Sequence, residues 1–338
     1  MSESPLDQIV NDLRSSGSKY FQQHSAVKTA RVVGHTPKPD HYTYEIVLDF
    51  PDVSERVNAK LYRGKNGGWT PPEAALREAQ NLQSAHDTAQ RRALNGIPRP
   101  IGDFANLGAV VSTKINGLPL QSIIMKAALL PGDGHHQLLE VAARQAGEWL
   151  QRFHRASAGV SAPLDTAAVL SDIEKLCLRA KKDGLPPESI EVILRRAQSA
   201  LSKQKRRLRS SAVLCDFIPL NVLVAEDGIG FCEFAALSEQ GHSLLDAAMF
   251  LAAVEVLEKY PFCNRNITSL VQNAFVEGYD ITPQEEPLLD TLKMKVLLQM
   301  FAQGRAIKES AERKKVMWAN VMKRFIQQAA ERSAAKLA

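Results

Sequence analysis

The sequence is poor in several features that would narrow its class at once. Only four of its 338 residues are cysteine (Cys177, Cys215, Cys232 and Cys263), widely spaced and with no Cys-x-x-Cys pair. That scarcity fits reduced thiols better than a disulfide framework or a zinc site. No apolar run approaches the ~20 residues of a membrane span. The first residues, MSESPLDQIVNDL, are too polar and acidic for a secretory signal. A large excess of one charge is missing too: 42 Lys and Arg stand against 37 Asp and Glu, a net charge of +5. So even a balance gives no argument for a nucleic-acid partner. Repeats and low-complexity segments are absent. These absences leave a soluble, cytoplasmic globular protein of one large or two modest domains, with no membrane association.

The patterning that is present changes character along the chain. Residues 4–15 have the spacing of a short amphipathic helix: Ser4 as cap, Pro5 in the first turn, and Leu6, Ile9, Val10 and Leu13 on one stripe. AVKTARVVG (26–34), HYTYEIVLDF (41–50) and ERVNAKLYRG (55–64) alternate and are rich in β-branched or aromatic residues, which predicts three strands. HTPKPD and PDVS supply the turns between them. A helix follows Pro71 and Pro72 through EAALREAQNLQSAH, and IPRPIGDFANLGAVVSTKI predicts two short strands about an Asn-Leu-Gly turn. From Gly117 onward apolar residues recur at helical spacing, except in the hairpin 213–234. The expected organisation is a helical extension over 1–25, a β-rich lobe over 26–114 and a helical lobe over 115–338, hinged near Thr113–Gly117. A cleft between lobes is a common ligand site.

The hairpin carries the chemistry. VLCDFIPLNVLVAEDGIGFCEF places Asp216 and Asn221 five positions apart before one strand and ends the next in Glu233. A carboxylate on such a loop can orient or deprotonate a hydroxyl. An amide oxygen and a second carboxylate suit a hard cation such as Mg²⁺, which brings phosphates with it. Asp216, Asn221 and Glu233 are the right types for a base and two metal ligands of phosphoryl transfer, a reaction in which the protein mainly positions groups and neutralises charge. Lys60, among Val57, Ala59 and Leu61, is a candidate cation for nucleotide phosphates, and Glu78 on the following helix can hold it. Plainer readings stand beside these. Asp216 and Asn221 also suit an ordinary turn, and Glu233 a solvated strand end. Lys60 also suits a protective sheet edge, Glu78 a surface partner of Arg77, and Ser243 with Asp246 a capping box.

As an ordered set, these pieces resemble the aminoglycoside phosphotransferase and choline kinase-like family, which has the protein-kinase fold. LCDFIPLNVL is similar to that family's HGDFHPGNVL at Asp216, Phe217, Pro219, Asn221, Val222 and Leu223. CEFAAL resembles its following acidic motif, and GHSLLDAAMF its GDPLxDLA segment at Gly241, Leu244, Asp246 and Ala247. KINGLPL and the helix ending GEWLQRFHRA, with Leu150 and His154, add weaker likeness over roughly residues 55–255. The resemblance implies an α+β, bilobal protein-kinase-like fold with a small β-rich N-lobe and a larger helical C-lobe. It implies ATP and Mg²⁺ as cofactors, Asp216 as the catalytic residue, and Asn221 and Glu233 as metal ligands. It further implies Lys60 on the nucleotide phosphates, Glu78 as its partner, Thr113, Lys114 and Ile115 along the adenine, and Asp246 bracing the catalytic loop.

The chain also departs from that family's pattern. Leu214 and Cys215 replace its loop-bracing His and its Gly, Glu233 replaces its metal-binding Asp, and the first hairpin turn holds only Gly34. The resemblance implies ATP-dependent transfer of a γ-phosphoryl group to the hydroxyl of an unidentified small molecule as the expected function. The alternative is a pseudokinase that binds a nucleotide or partner without catalysis. Glu239, Glu285, Glu286 and Asp290 are available to line a pocket for a cationic acceptor. The basic run 203–210 reads as a solvated helix end, His154 as a helix-end residue, and His135 and His136 as part of an exposed loop. The apolar stripe Val316, Met317, Val321, Met322, Phe325 and Ile326 predicts a last helix packed on the helical lobe or on a second subunit of a homo-oligomer.

Overall fold

The computed structural model describes residues 3–64, 68–129, 134–204, 207–260, 263–306, 320–328 and 330–331. The chain divides into two compact units, Met1–Gly117 with Leu223–Leu237, and Leu118–Val222 with Ser238–Ala338.

In the first unit, α1 (Pro5–Tyr20) is followed by β1 (Thr29–Pro37), β2 (His41–Asp49), β3 (Ser54–Tyr62), α2 (Pro71–Arg91) and β4 (Ala109–Thr113). The strands form one antiparallel sheet in the order β1-β2-β3-β4. Ser4 caps α1 by accepting the Asp7 N–H at 3.2 Å. Ile9 and Leu13 of α1 are buried with Ile46, Leu48, Val57, Ala59, Ala109 and Val111, alternate residues of three strands and hence one face of the sheet. β1 starts three residues later than the sequence pattern suggests and runs on to Pro37, with a register shift between Val32 and Gly34. Gly34 therefore lies inside the strand, and the turn closes over Lys38–His41, where the Lys38 N–H meets the His41 carbonyl at 2.9 Å. The expected strand before β4 does not form. Pro98 and Pro100 remove alternate N–H donors, so that stretch contributes only an isolated bridge from Pro100 to Ser112, and Ala105–Leu107 is a 3₁₀ turn. The hairpin strands Val222–Ala225 and Gly228–Phe231 complete the unit. Gly96 lies so close beneath them that a β-carbon would fall 2.0 Å from the Ile229 carbonyl oxygen, and its own carbonyl accepts the Phe231 N–H at 2.8 Å.

The second unit is mainly helical: α3 (Leu120–Leu129), α4 (Gly134–Ala156), α5 (Thr166–Lys182), α6 (Pro187–Lys203), α7 (Leu244–Leu257), α8 (Arg265–Tyr279) and α9 (Glu286–Ala306). α4 and α8 cross where each carries a glycine. A β-carbon on Gly147 would meet the Phe275 carbonyl at 2.4 Å, and one on Gly278 the Arg144 carbonyl at 2.1 Å. An aromatic file fills the interior beside them: Trp149, Phe217, Phe250 and Phe275 follow one another at centroid separations of 5.9, 5.9 and 4.0 Å, the middle pair tilted and the outer two stacked.

Some expectations are overturned in this unit. Arg207–Val213 is a strand, paired with Ser161–Pro163 on one side and Ser238–His242 on the other. The basic run therefore does not end as a helix; residues 205 and 206 lie outside the described residues. These strands are short, with Ser, Gly and charge in place of clear alternation, which hid them from pattern reading. His136 is exposed, but His135 and His136 belong to the first turn of α4 rather than to a loop. Met322, Phe325 and Ile326 are buried, whereas Val316 and Met317 fall outside the described residues.

Candidate active site

The lysine centre lies wholly within the first unit. Val57 and Ala59 point into the core under α1, so alternation turns Lys60 and Tyr62 to the other face. β3 is a central strand, which removes the sheet-edge reading of Lys60. The Lys60 side chain is 12% exposed, and its Nζ donates to Glu78 Oε1 at 3.0 Å and to Glu233 Oε1 at 2.6 Å. Glu78, buried on α2, also accepts from the Tyr62 hydroxyl. Arg77 makes no claim on Glu78; it lies over the Trp69 ring at 5.6 Å. Asn81, one turn on, donates to the Phe234 carbonyl at 2.9 Å and fixes the segment after Glu233.

The electrostatics follow from one cation between two acids. Burial pulls Lys60 toward neutrality, but Glu78 and Glu233 outweigh it and hold its pKa well above the ordinary lysine value. Burial pushes the Glu78 carboxyl up, Lys60 pulls it down, Glu233 pushes it up again, and the balance is a raised pKa. Glu233 is thus drawn to the lysine rather than solvated at a strand end; its longer side chain spans from the hairpin to β3.

The second unit holds the loop with Asp216. Asn221 Nδ2 donates to Asp216 Oδ2 at 2.8 Å and to the Asp216 carbonyl at 3.0 Å. That orients the amide with its nitrogen on Asp216 and its oxygen turned away. Phe217 is fully buried in the aromatic file and pins the loop from below.

Asp246 does not cap its helix, and Ser243 makes no side-chain cap. The fully buried Asp246 carboxylate instead accepts the Leu214 N–H and the Cys215 N–H, both at 2.8 Å, and meets His154 Nε2 at 3.0 Å. His154 Nδ1 in turn meets the Tyr279 hydroxyl at 2.8 Å. The sequence reading missed His154 and Tyr279; the one available signal was the Leu150-to-His154 helix end. Leu214 is fully buried where the resembling family carries histidine.

Cys215, where that family carries glycine, has φ of 57°. L residues rarely adopt this conformation and β-branched ones almost never do. Cys215→Gly is expected to change stability by less than about 0.5 kcal/mol, since relief of strain offsets lost packing, whereas Cys215→Val is expected to cost about 2 kcal/mol. Urea denaturation of the two variants checks the ranking.

Next to this loop His242 accepts the Leu244 N–H at Nδ1 (3.1 Å), while its Nε2 is buried with no partner among the described residues. Burial lowers its pKa from 6.5 to about 4, against the attraction of Glu285 and with a small push from His154. The unfolded chain binds this proton first, so stability is full above about pH 6.5 and is lost as pH falls toward 4, by at most about 3 kcal/mol. Denaturation midpoints across that range should flatten in His242→Asn.

Thr113, Lys114 and Ile115 belong to the first unit. The Thr113 N–H is spent on the Arg99 carbonyl and the Lys114 N–H on Arg56, both at 2.9 Å. Lys114 Nζ pairs with Glu45 at 2.7 Å. These residues line a cavity of about 810 Å³ together with the end of α2 and the turn of the hairpin.

Among the described residues no cluster of three or more His, Cys, Asp or Glu is arranged to hold a metal by itself. Asn221 and Glu233 each carry an oxygen of the type Mg²⁺ accepts, and that ion takes one or two protein oxygens and completes its shell with water and phosphate. No helix among the described residues is long and apolar enough to cross a membrane.

No family model matches this sequence, and no curated protein matches it. Solved structures match it along nearly its whole length. An aminoglycoside phosphotransferase from Alicyclobacillus acidocaldarius subsp. acidocaldarius DSM 446 is 14% identical, with a TM-score of 0.53, over 95% of this chain and 95% of its own. A choline/ethanolamine kinase family protein from Mesorhizobium loti is 15% identical, with a TM-score of 0.55, over 97% of this chain and 95% of its own. A glucosamine kinase bound to glucosamine, ADP and inorganic phosphate is 14% identical, with a TM-score of 0.56, over 91% of this chain and 97% of its own. The chain has the aminoglycoside phosphotransferase and choline kinase-like kinase fold, an α+β architecture with an N-terminal antiparallel sheet and a helical C-terminal part. It shares this fold with ATP-dependent small-molecule kinases; at these identities the likeness is one of fold.

Proposed function

We propose that the chain is an ATP-dependent small-molecule phosphotransferase that moves the γ-phosphoryl group of ATP to a substrate hydroxyl. The observation that carries this reading is the lysine centre: a buried Lys60 held between Glu78 and Glu233. A structural ion pair has little use for two carboxylates on one ammonium, whereas a phosphate-binding lysine needs an anchor on one side and a carboxylate that can turn to a cation on the other.

In this reading Lys60 binds nucleotide phosphates and Glu78 keeps it extended. Asn221 and Glu233 hold Mg²⁺, which supplies charge neutralisation on the phosphates when bound. Asp216 orients the acceptor hydroxyl and takes its proton, and Asn221 Nδ2 fixes its carboxylate. Asp246 keeps the loop in register. Thr113 to Ile115 border the adenine. The partners are a nucleotide and a small hydroxyl-bearing molecule; neither nucleic acid nor a membrane is part of this reading.

A second reading has one observation in its favour. Lys60 already engages Glu233 at 2.6 Å, a contact that a non-catalytic nucleotide-binding or partner-binding module would keep. Phosphoryl transfer from γ-labelled ATP to a panel of amino sugars, amino alcohols and sugars separates the two. The enzyme reading expects transfer to at least one class and a loss of at least about 100-fold in Asp216→Asn, with Mg²⁺–ATP binding intact. Binding without transfer to any acceptor supports the module.

A further inference from the structure

The second unit contains a cavity of about 280 Å³ among α5, α6 and α9 that the proposed chemistry does not use. Its wall is largely aliphatic, with Ile173, Ile193 and Met294 prominent. Arg196 of α6 interrupts that wall. Arg196 is half-buried, and its Nη2 is buried with no hydrogen-bond partner among the described residues. Burial lowers its pKa, and Asp290 only partly offsets this; Asp290 is paired instead with Lys293 at 3.6 Å. A buried guanidinium nitrogen with no acceptor is costly, because the group cannot shed its charge and that donor goes unmet.

We propose that this cavity is a binding site for a compact monocarboxylate, with its apolar body between the helices and its carboxylate on Arg196. A carboxylate matches the fork of the guanidinium and supplies the missing charge. The sign of the neighbours sets the class. α6 brings Arg196 and Lys203 to the cavity, whereas α9 brings Glu286 and Asp290. A dianion such as phosphate would be repelled by the α9 acids and has no apolar part to fill the hole. A monocarboxylate places its single charge toward α6 and buries its tail. Glu286 and Asp290 are among the acids the sequence offers for a cationic acceptor, and hexylammonium in the test below probes that use; Arg196 has no role in the kinase reading.

Calorimetric titration of the full chain at neutral pH and low salt tests it, with hexanoate as the probe and hexanol, hexylammonium and inorganic phosphate as comparators. Hexanoate should bind at one saturable site about ten-fold or more tighter than hexanol. Arg196→Gln should remove that advantage and leave hexanol binding unchanged, Arg196→Lys should keep part of it, and Ala200→Leu, which adds only apolar volume, should block both ligands. Circular dichroism and melting curves confirm that each variant is folded before titration. Absence of saturable hexanoate binding at millimolar concentration overturns the proposal. So does hexanol or hexylammonium binding as tightly as hexanoate, phosphate binding more tightly, or Arg196→Gln leaving the hexanoate affinity unchanged.

Discussion

Lys60→Met is expected to destabilise the protein by about 3 kcal/mol and to abolish the response to nucleotide. Both effects have one origin. The substitution keeps the length and apolar stem of the side chain but removes the cation between Glu78 and Glu233, and breaking one partner of a buried pair leaves an uncompensated charge. Glu78 then has only the Tyr62 hydroxyl in contact, and its carboxyl, already raised by burial, rises further. An acid whose folded pKa lies above its unfolded value stabilises the fold only while protonated. Stability of Lys60→Met should therefore be highest below about pH 4.5 and fall as pH rises above it. Adding Glu78→Gln, which stays an acceptor for Tyr62 but carries no charge, should restore most of the loss. Urea denaturation of the wild type, both single variants and the double variant measures the coupling. An additive cycle would mean that Lys60 and Glu78 do not depend on each other.

The second large effect is expected at Asp246. Asp246→Ala strands the N–H groups of Leu214 and Cys215 and one nitrogen of His154, all in a site with no exposure of the carboxylate to water. Each orphaned buried group costs about 1–3 kcal/mol, so a total loss of about 3 kcal/mol or more is expected. Asp246→Asn retains one acceptor oxygen and should cost roughly half as much. The same bonds hold the backbone of the two residues before Asp216, so the loop should loosen before the unit unfolds. Hydrogen exchange at Leu214 and Cys215 reports this directly: their amides should lose protection in Asp246→Ala and in His154→Ala, while the amides of the α4–α8 crossing stay protected. Unchanged exchange at Leu214 and Cys215 would show that the loop is held by something else.

How much of this was legible in the sequence depends on the range of the interaction. Period-2 alternation placed β2 and β3 to within two residues, because each turns a pair of alternate residues fully into the core, Ile46 and Leu48 on one and Val57 and Ala59 on the other. It misplaced β1, whose residues are mostly exposed and give no consistent face. The strand expected before β4 failed on a local fact that was readable, the two prolines at 98 and 100. Lys60 and Glu78 could be paired in advance from a strand and the helix that follows it. The contact from Lys60 to Glu233 joins residues 173 apart in sequence, and neither the local pattern nor the resemblance, which gave Lys60 to phosphates and Glu233 to a metal, pointed to it. At Asp246 the local pattern pointed to a helix cap and the resemblance to bracing of the loop. Ser243 and Asp246 have the spacing of a helix cap, yet the carboxylate goes to backbone groups 31 and 32 residues upstream. His154 looked like a helix-end residue for the same reason, since its partners lie on α7 and α8. Arg196 had no sequence signal at all: a buried donor without an acceptor can be recognised only from what fails to surround it.

The proposed function requires that the chain bind ATP together with Mg²⁺, with Asn221 taking part in holding the metal. The most direct test is the melting temperature of the chain with millimolar ATP, with and without Mg²⁺, in the wild type and in Asn221→Ala. The account predicts an upward shift with ATP that grows when Mg²⁺ is present, by ligand linkage, and a loss of the metal-dependent part in the variant. No shift of the wild type at millimolar ATP with Mg²⁺ would contradict it.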